Sequence, residues 1–178
     1  GNLATAIENA NLYRDARWYS GLLSMLYEAG KEMGAILDLD ALCDHVAELV
    51  HRVVDYEMFA IFLVDEEANE LVLRTARQMA SIRPQQRIAL GSGLTGAAAS
   101  SKEAVLVGDV REDPRYIEIE PDVRSELVVP LVIKGRVVGV FDLESREVNR
   151  FTQEHVKVLT PLASQIAVAI ENARLYKD

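Results

Sequence analysis

Two pairs of apolar runs, each turned back on itself, constrain this chain more than any other feature. In the first, residues 57–64 are densely apolar, Asp65-Glu-Glu-Ala-Asn69 is a turn, and residues 71–76 return. In the second, residues 125–133 and 136–143 meet at Lys134-Gly135, a gap short enough for a tight hairpin. Hairpins join antiparallel strands, whereas parallel strands need a crossover of a dozen or more residues. The chain is therefore predicted to be α+β and not doubly wound α/β. Shorter strands near residues 87–89 and 104–107 bring the expected antiparallel sheet to five or six strands.

Helical periodicity flanks this centre. Residues 3–36 read as one long helix, in which Tyr19, Leu22, Leu26, Ala29, Met33 and Ile36 recur in steps of three and four. Such a helix spans roughly 50 Å, longer than a small domain is wide, so part of it must project or pack on another chain. Asp38 is a predicted N-cap for a second helix over 41–54, buried through Leu42, Val46, Leu49 and Val53. Gly91-Ser-Gly93 leads into a short helix of small residues at 94–101. Asp113-Pro114 is a helix-start signal for another. The last helix begins at Thr152. Its seam of Leu159, Leu162, Ile166, Ala169, Ala173 and Tyr176 resembles a coiled coil, and Pro161 inside it predicts a kink.

The two ends echo each other. At an offset of 163, nine of thirteen positions from Leu3 and from Ile166 are identical: Ala4, Ala6, Ile7, Glu8, Asn9, Ala10, Leu12, Tyr13 and Asp15. Residues 1–20 are accordingly expected to be a linker helix, the tail of a preceding domain of the same kind. Residues 21–178 are expected to form one domain ending in an outgoing helix. A net charge of −9 argues against nucleic acid or an anionic membrane as partner. The single cysteine, Cys43, cannot form an internal disulfide, so a reducing cytoplasm is the expected compartment.

Six stretches together resemble a GAF domain: Ile61-Phe-Leu-Val-Asp65, Gly91-Ser-Gly-Leu-Thr-Gly-Ala-Ala98, the segment 107–116, Ser125-Glu-Leu-Val-Val-Pro-Leu131, Gly139-Val-Phe-Asp-Leu-Glu-Ser145 and the segment 163–176. The resemblance implies a GAF-like fold of the profilin-like or PAS-like kind. Its terminal helices would lie on one face of the sheet, with short helices and a small-molecule pocket on the other. It also implies a module placed upstream of signalling outputs, such as those of two-component systems, and dimerisation through the terminal helices.

On that frame the expected ligand-binding residues are Phe62, Arg74, Gly93, Leu94, Thr95, Asp109, Tyr116 and Glu126. The glycine-rich loop offers backbone N–H groups that suit an anion, or serves only a tight turn. Asp109 and Tyr116 would border the pocket, with capping and packing as their alternative roles. Glu126 and Asp142 lie in apolar strands, where an acid needs a partner, and Arg74 and Arg77 are candidates. The expected dimer interface is Tyr19, Leu22, Leu26, Ala29, Leu162, Ile166, Ala169 and Ala173.

No cofactor and no metal site is expected. The Asn-Lys pair of the cyclic-nucleotide branch is absent. His45, His51 and His155 fall on the terminal-helix side, away from a haem position. The free-methionine-sulfoxide reductase branch needs several cysteines near the pocket, and only Cys43 is present. The reading is thus a non-enzymatic sensor that dimerises, binds an unknown small molecule and passes its state through the terminal helices to an output domain. A ligand-free transmission module is the alternative, and a redox enzyme of the free-methionine-sulfoxide reductase type, using Cys43, is a further one.

Overall fold

Both predicted hairpins form. The computed structural model describes residues 1–177. It contains α1 (Asn2–Gly34), α2 (Leu39–Val53), β1 (Met58–Asp65), β2 (Glu70–Arg77), β3 (Arg87–Ala89), α3 (Gly93–Ser101), β4 (Val105–Val107), a 3₁₀ turn at Val110–Glu112, β5 (Ser125–Ile133), β6 (Arg136–Ser145) and α4 (Gln153–Lys177). β1 pairs with β2 and β5 with β6, and β1 also pairs with β6, so the hairpins lie side by side. The short strands extend the edges, giving an antiparallel sheet of order β3-β2-β1-β6-β5-β4. Gly139 is required where β1 and β6 meet, because a Cβ there would collide with the Phe62 carbonyl. Pro130 lies past the end of β4, where β5 has become an edge, so its missing N–H costs little of the ladder.

Strand alternation sorts the apolar residues onto two faces. Phe59, Ile61, Leu63, Leu127, Val129, Leu131, Phe141 and Leu143 point to one side, where Leu42, Val46, Leu159, Leu162 and Ile166 of α2 and α4 cover them. The Phe59 and Phe141 rings stack there at 6.1 Å. Met58, Ala60, Phe62, Val128 and Val140 point to the other side and meet Leu94 and Ala98 of α3. Local signals agree with this packing: Asp38 caps α2, its carboxylate accepting from the Ala41 N–H at 2.8 Å.

Two expectations change. The helix predicted from Asp113 does not form there. The helical turn comes earlier, over Val110–Glu112, because Asp109 caps it through the Arg111 N–H. Asp113 instead accepts from the Arg115 N–H and pairs with its guanidinium at 2.8 Å. Four of the residues assigned to a dimer seam, Ala29, Leu162, Ile166 and Ala173, are at most 2% exposed. The periodic stripe of α4 is spent on this chain's own sheet, and Ala169 is buried with it. Tyr19 is open, and Leu22 and Leu26 are half-buried.

Residues 2–17 of α1 are all exposed. The helix comes down onto the domain at Trp18, whose ring carries the Lys157 ammonium 4.4 Å from its centroid. No helix among the described residues is long and apolar enough to cross a membrane.

Candidate functional site

β5 and β6 place three carboxylates on the α3 side of the sheet. Glu126 pairs across the ladder with Glu144, and Asp142 lies two residues before Glu144 on the same strand. All three share the face of Val128 and Val140 rather than that of Leu127, Phe141 and Leu143. They are buried, at 3%, 4% and 5% exposure, and oxygens of all three lie within 4.8 Å of one another. Asp142 Oδ1 and Glu144 Oε2 have no hydrogen-bond partner.

Full ionisation of this cluster is unfavourable. Two unit charges 4.8 Å apart repel by about 3 kcal/mol at an effective dielectric constant near 20. Arg87, in the pocket lining, does not offset this, because it is held by Asp65 at 3.1 Å and Glu70 at 2.9 Å. Burial, and then the Glu144 charge, push Glu126 up to about 8. Burial, and then the Glu126 charge, raise Asp142 well above the carboxylate range, and burial, then Asp142, do the same for Glu144. At neutral pH the cluster therefore holds protons on carboxyls that face a pocket. Among the described residues it is also the group whose oxygens could jointly hold a cation.

The pocket above it measures about 200 Å³, more than the roughly 150 Å³ cavity that takes up a benzene. Phe62, Met79, Tyr116, Ile117 and Ile119 supply apolar surface, and Ser92, Gly93, Leu94 and Thr95 bring the start of α3 to its wall. Ser92 is the N-cap yet makes no side-chain cap, so the first amides of α3 are open to an acceptor in the pocket. The tight turn before them depends on Gly96, where a Cβ would lie 2.7 Å from the Ala89 carbonyl oxygen and 2.8 Å from the Gly91 nitrogen. The pocket is thus acidic at its floor, positive at one wall and apolar between.

Of the residues expected from sequence, Phe62, Gly93, Leu94, Thr95, Tyr116 and Glu126 come together in this pocket. Arg74 does not. It is the extra residue at a bulge, where β1 pairing steps from Thr75 to Leu73, and it turns toward α2 to meet Asp40 at 3.5 Å. Arg77 pairs with Asp44 on the same side. Asp109 is also outside the pocket. It caps the 3₁₀ turn and grips Arg111 at 2.7 Å, a pairing that draws its carboxyl down to about 2. Glu144 lines the pocket beyond the residues expected, and its two-residue spacing from Asp142 in one strand was the available signal. Met79 and Ile119 come from loops with no periodicity to reveal them.

Cys43 is fully buried in the opposite core, and burial pushes its thiol up to about 12. His45 and His51 pair with Glu32 and Asp55, and His155 accepts from the Thr152 N–H, all away from the pocket.

Residues 36–171 match the family model described as GAF domain. The free methionine-R-sulfoxide reductase of Escherichia coli K12 is 30% identical over 129 residues, covering 72% of this chain and 74% of that protein. Protein YtsP of Bacillus subtilis is 29% identical over 124 residues, covering 70% and 74%. The structure of free methionine-R-sulfoxide reductase from Neisseria meningitidis in complex with its substrate superposes with a TM-score of 0.77 at 28% identity, covering 87% of this chain and 91% of that one. These reductases overturn the expectation of a non-enzymatic sensor, and of its ligand-free alternative, since the chain shares its fold with enzymes at 28–30% identity. With the family model spanning most of its length, the chain belongs to the GAF domain family.

Proposed function

We propose that the pocket binds free methionine-R-sulfoxide, or a closely similar amino-acid sulfoxide, and promotes its reduction by thiols supplied from outside the chain. The observation that carries this reading is the cluster of proton-holding carboxyls, Glu126, Asp142 and Glu144, at the floor of a pocket whose wall is a helix N-terminus. A free amino acid carries a carboxylate for the α3 amides, an ammonium for the acidic floor and an apolar side chain for Phe62 and Ile117. Similarity to reductases that act on the free amino-acid sulfoxide supports the same choice.

The chemistry assigned to this chain is acid catalysis. A carboxyl of the cluster passes its proton to the sulfoxide oxygen, which opens the sulfur to attack by a thiolate. The S–O bond breaks and the oxygen leaves as water. A second thiol then attacks the first thiol's sulfur, releasing the sulfide and a disulfide. One sulfoxide and two thiols give one sulfide, one disulfide and one water. Cys43 lies across the sheet from the pocket, so both thiols are co-reactants. A reducing cytoplasm, the compartment expected from the single cysteine, supplies such thiols.

The test is chromatographic detection of methionine from free methionine-R-sulfoxide with dithiothreitol. Methionine should form faster than without protein, more from the R than the S epimer, and Asp142→Asn should lose the increment. A rate equal to the protein-free one would sink the reading.

We also infer that residues 1–20 belong to a helix linking two such domains, and that Tyr19, Leu22 and Leu26 pair two copies of α1. The echo at offset 163 supports the first point, and the exposure of Tyr19, Leu23 and Tyr27, at 56–66%, supports the second. Sedimentation should show a dimer that weakens when residues 1–20 are removed. A dimer of unchanged strength would move the interface elsewhere.

A further inference from the structure

The three carboxyls at the pocket floor are nearly inaccessible, so a ligand reaches them only through the roof. Two loops make that roof. Residues 78–86, between β2 and β3, contribute Met79 and Gln86, and residues 113–124, before β5, contribute Tyr116, Ile117 and Ile119. One side chain ties the loops by hydrogen bonds. Glu120, only 3% exposed, accepts at a single carboxylate oxygen from the backbone N–H groups of Ser81 and of Ile82, the latter at 3.2 Å. Among the described residues no other hydrogen bond joins these segments.

Other features mark the loops as separable from the sheet. Gln78 and Gln85, with φ of 56° and 55°, bracket the first loop, and Asp122, with φ of 65°, stands near the end of the second. These are left-handed conformations that a non-glycine residue seldom adopts, so each is a point where the backbone can change course. Backbone hydrogen bonds fix the loop ends, Gln86 accepting from the Leu73 N–H at 2.9 Å and Arg124 donating to the Ser145 carbonyl at 2.8 Å, and between those ends apolar contacts of Met79, Ile82 and Val123 pack the loops on the domain.

We propose that Glu120 is the latch of a two-loop lid, and that ligand enters and leaves the pocket when the Ser81 and Ile82 amides come off its carboxylate. Glu120 is on this account a positioning residue, acting through the loops it joins. It has a second link to the floor: its charge is among those that raise the proton affinity of Glu144. A closed lid therefore also favours the protonated floor, so latch and acid act in the same direction. The gating half of the proposal rests on the reading that the pocket takes free methionine-R-sulfoxide, whereas the latch half does not.

The experiment compares wild type with Glu120→Met, which keeps length and burial but has no acceptor, and Glu120→Gln, which restores an acceptor oxygen. Hydrogen exchange of the Ser81 and Ile82 amides is read first, without ligand. Both should be protected in the wild type, exchange at least about tenfold faster in E120M, and regain protection in E120Q. Stopped-flow binding of free methionine-R-sulfoxide is read second. E120M should speed association and dissociation together by about tenfold, with little change in their ratio, and E120Q should bring both back. Equal exchange in wild type and E120M would overturn the latch. Faster exchange with unchanged binding rates would overturn the gate. If wild type shows no binding of the sulfoxide, the reductase reading fails, and the exchange data still decide the latch.

Discussion

Replacing Glu126 by glutamine should stabilise the protein at neutral pH and leave it almost unchanged at pH 4. Burial and the neighbouring Glu144 raise the folded carboxyl from 4.5 to about 8. Below pH 4.5 this group is protonated whether the chain is folded or unfolded, and the fold keeps its full stability. Above 4.5 the unfolded chain ionises while the folded one holds its proton. Each pH unit then removes about 1.4 kcal/mol until the folded group also ionises near pH 8. The wild type should lose about 3 kcal/mol between pH 4.5 and 7 through this one group, levelling near 5 kcal/mol above pH 8. Against a typical stability of about 5–15 kcal/mol, that is readily measured. Glutamine has no proton to lose. It also removes the charge that helps raise Asp142, which adds in the same direction. Guanidinium unfolding of both proteins at half-unit intervals from pH 4 to 8.5 gives the difference directly, with every other titration largely cancelling. The difference should climb through pH 5–8. A flat difference would mean that Glu126 is already ionised in the folded protein, and the account of the pocket floor as a proton store would be wrong.

Gly96→Ala should cost about 1–3 kcal/mol, because its Cβ meets backbone atoms of Ala89 and Gly91 that cannot rotate aside; a thermal melt checks it, and an unchanged Tm would refute the packing. Cys43 should resist an aromatic disulfide reagent in the native protein and react on unfolding in denaturant, since the thiol is buried and its pKa raised; fast native labelling would contradict this. Phe141→Ala should destabilise by about 3–5 kcal/mol in denaturant titrations, because the ring is fully buried against Phe59; a loss under 1 kcal/mol would place the ring outside the core.

Elements whose signal is local were legible in the sequence. The hairpins, the capped α2, the short α3 after Gly91-Ser-Gly93 and the long terminal helices are written in periodicity, turn residues and caps, and they form within a few residues of their expected bounds. The pocket was legible where an anomaly marked it: an acid in an apolar strand at Glu126, and glycines before α3. Arg74 was misplaced because a bulge in β2 shifts the alternation by one, which depends on the pairing with β1. Asp109 was misplaced because its own neighbour, Arg111, satisfies it first.

Apart from the helix expected at Asp113, the sequence by itself determined the secondary elements, the antiparallel sheet and which strand positions are apolar, since these follow from interactions a few residues long. Only the tertiary structure decided the rest. It showed that Ile166 and Ala173 bury against this chain's sheet rather than a second copy, because a stripe at helical spacing does not say which surface covers it. It brought Glu126 beside Glu144 and Asp142, because register between β5 and β6 sets which acids share a face and so which must keep their protons. It also put Cys43 on the far side of that sheet, which separates the chain's one thiol from the pocket carboxyls.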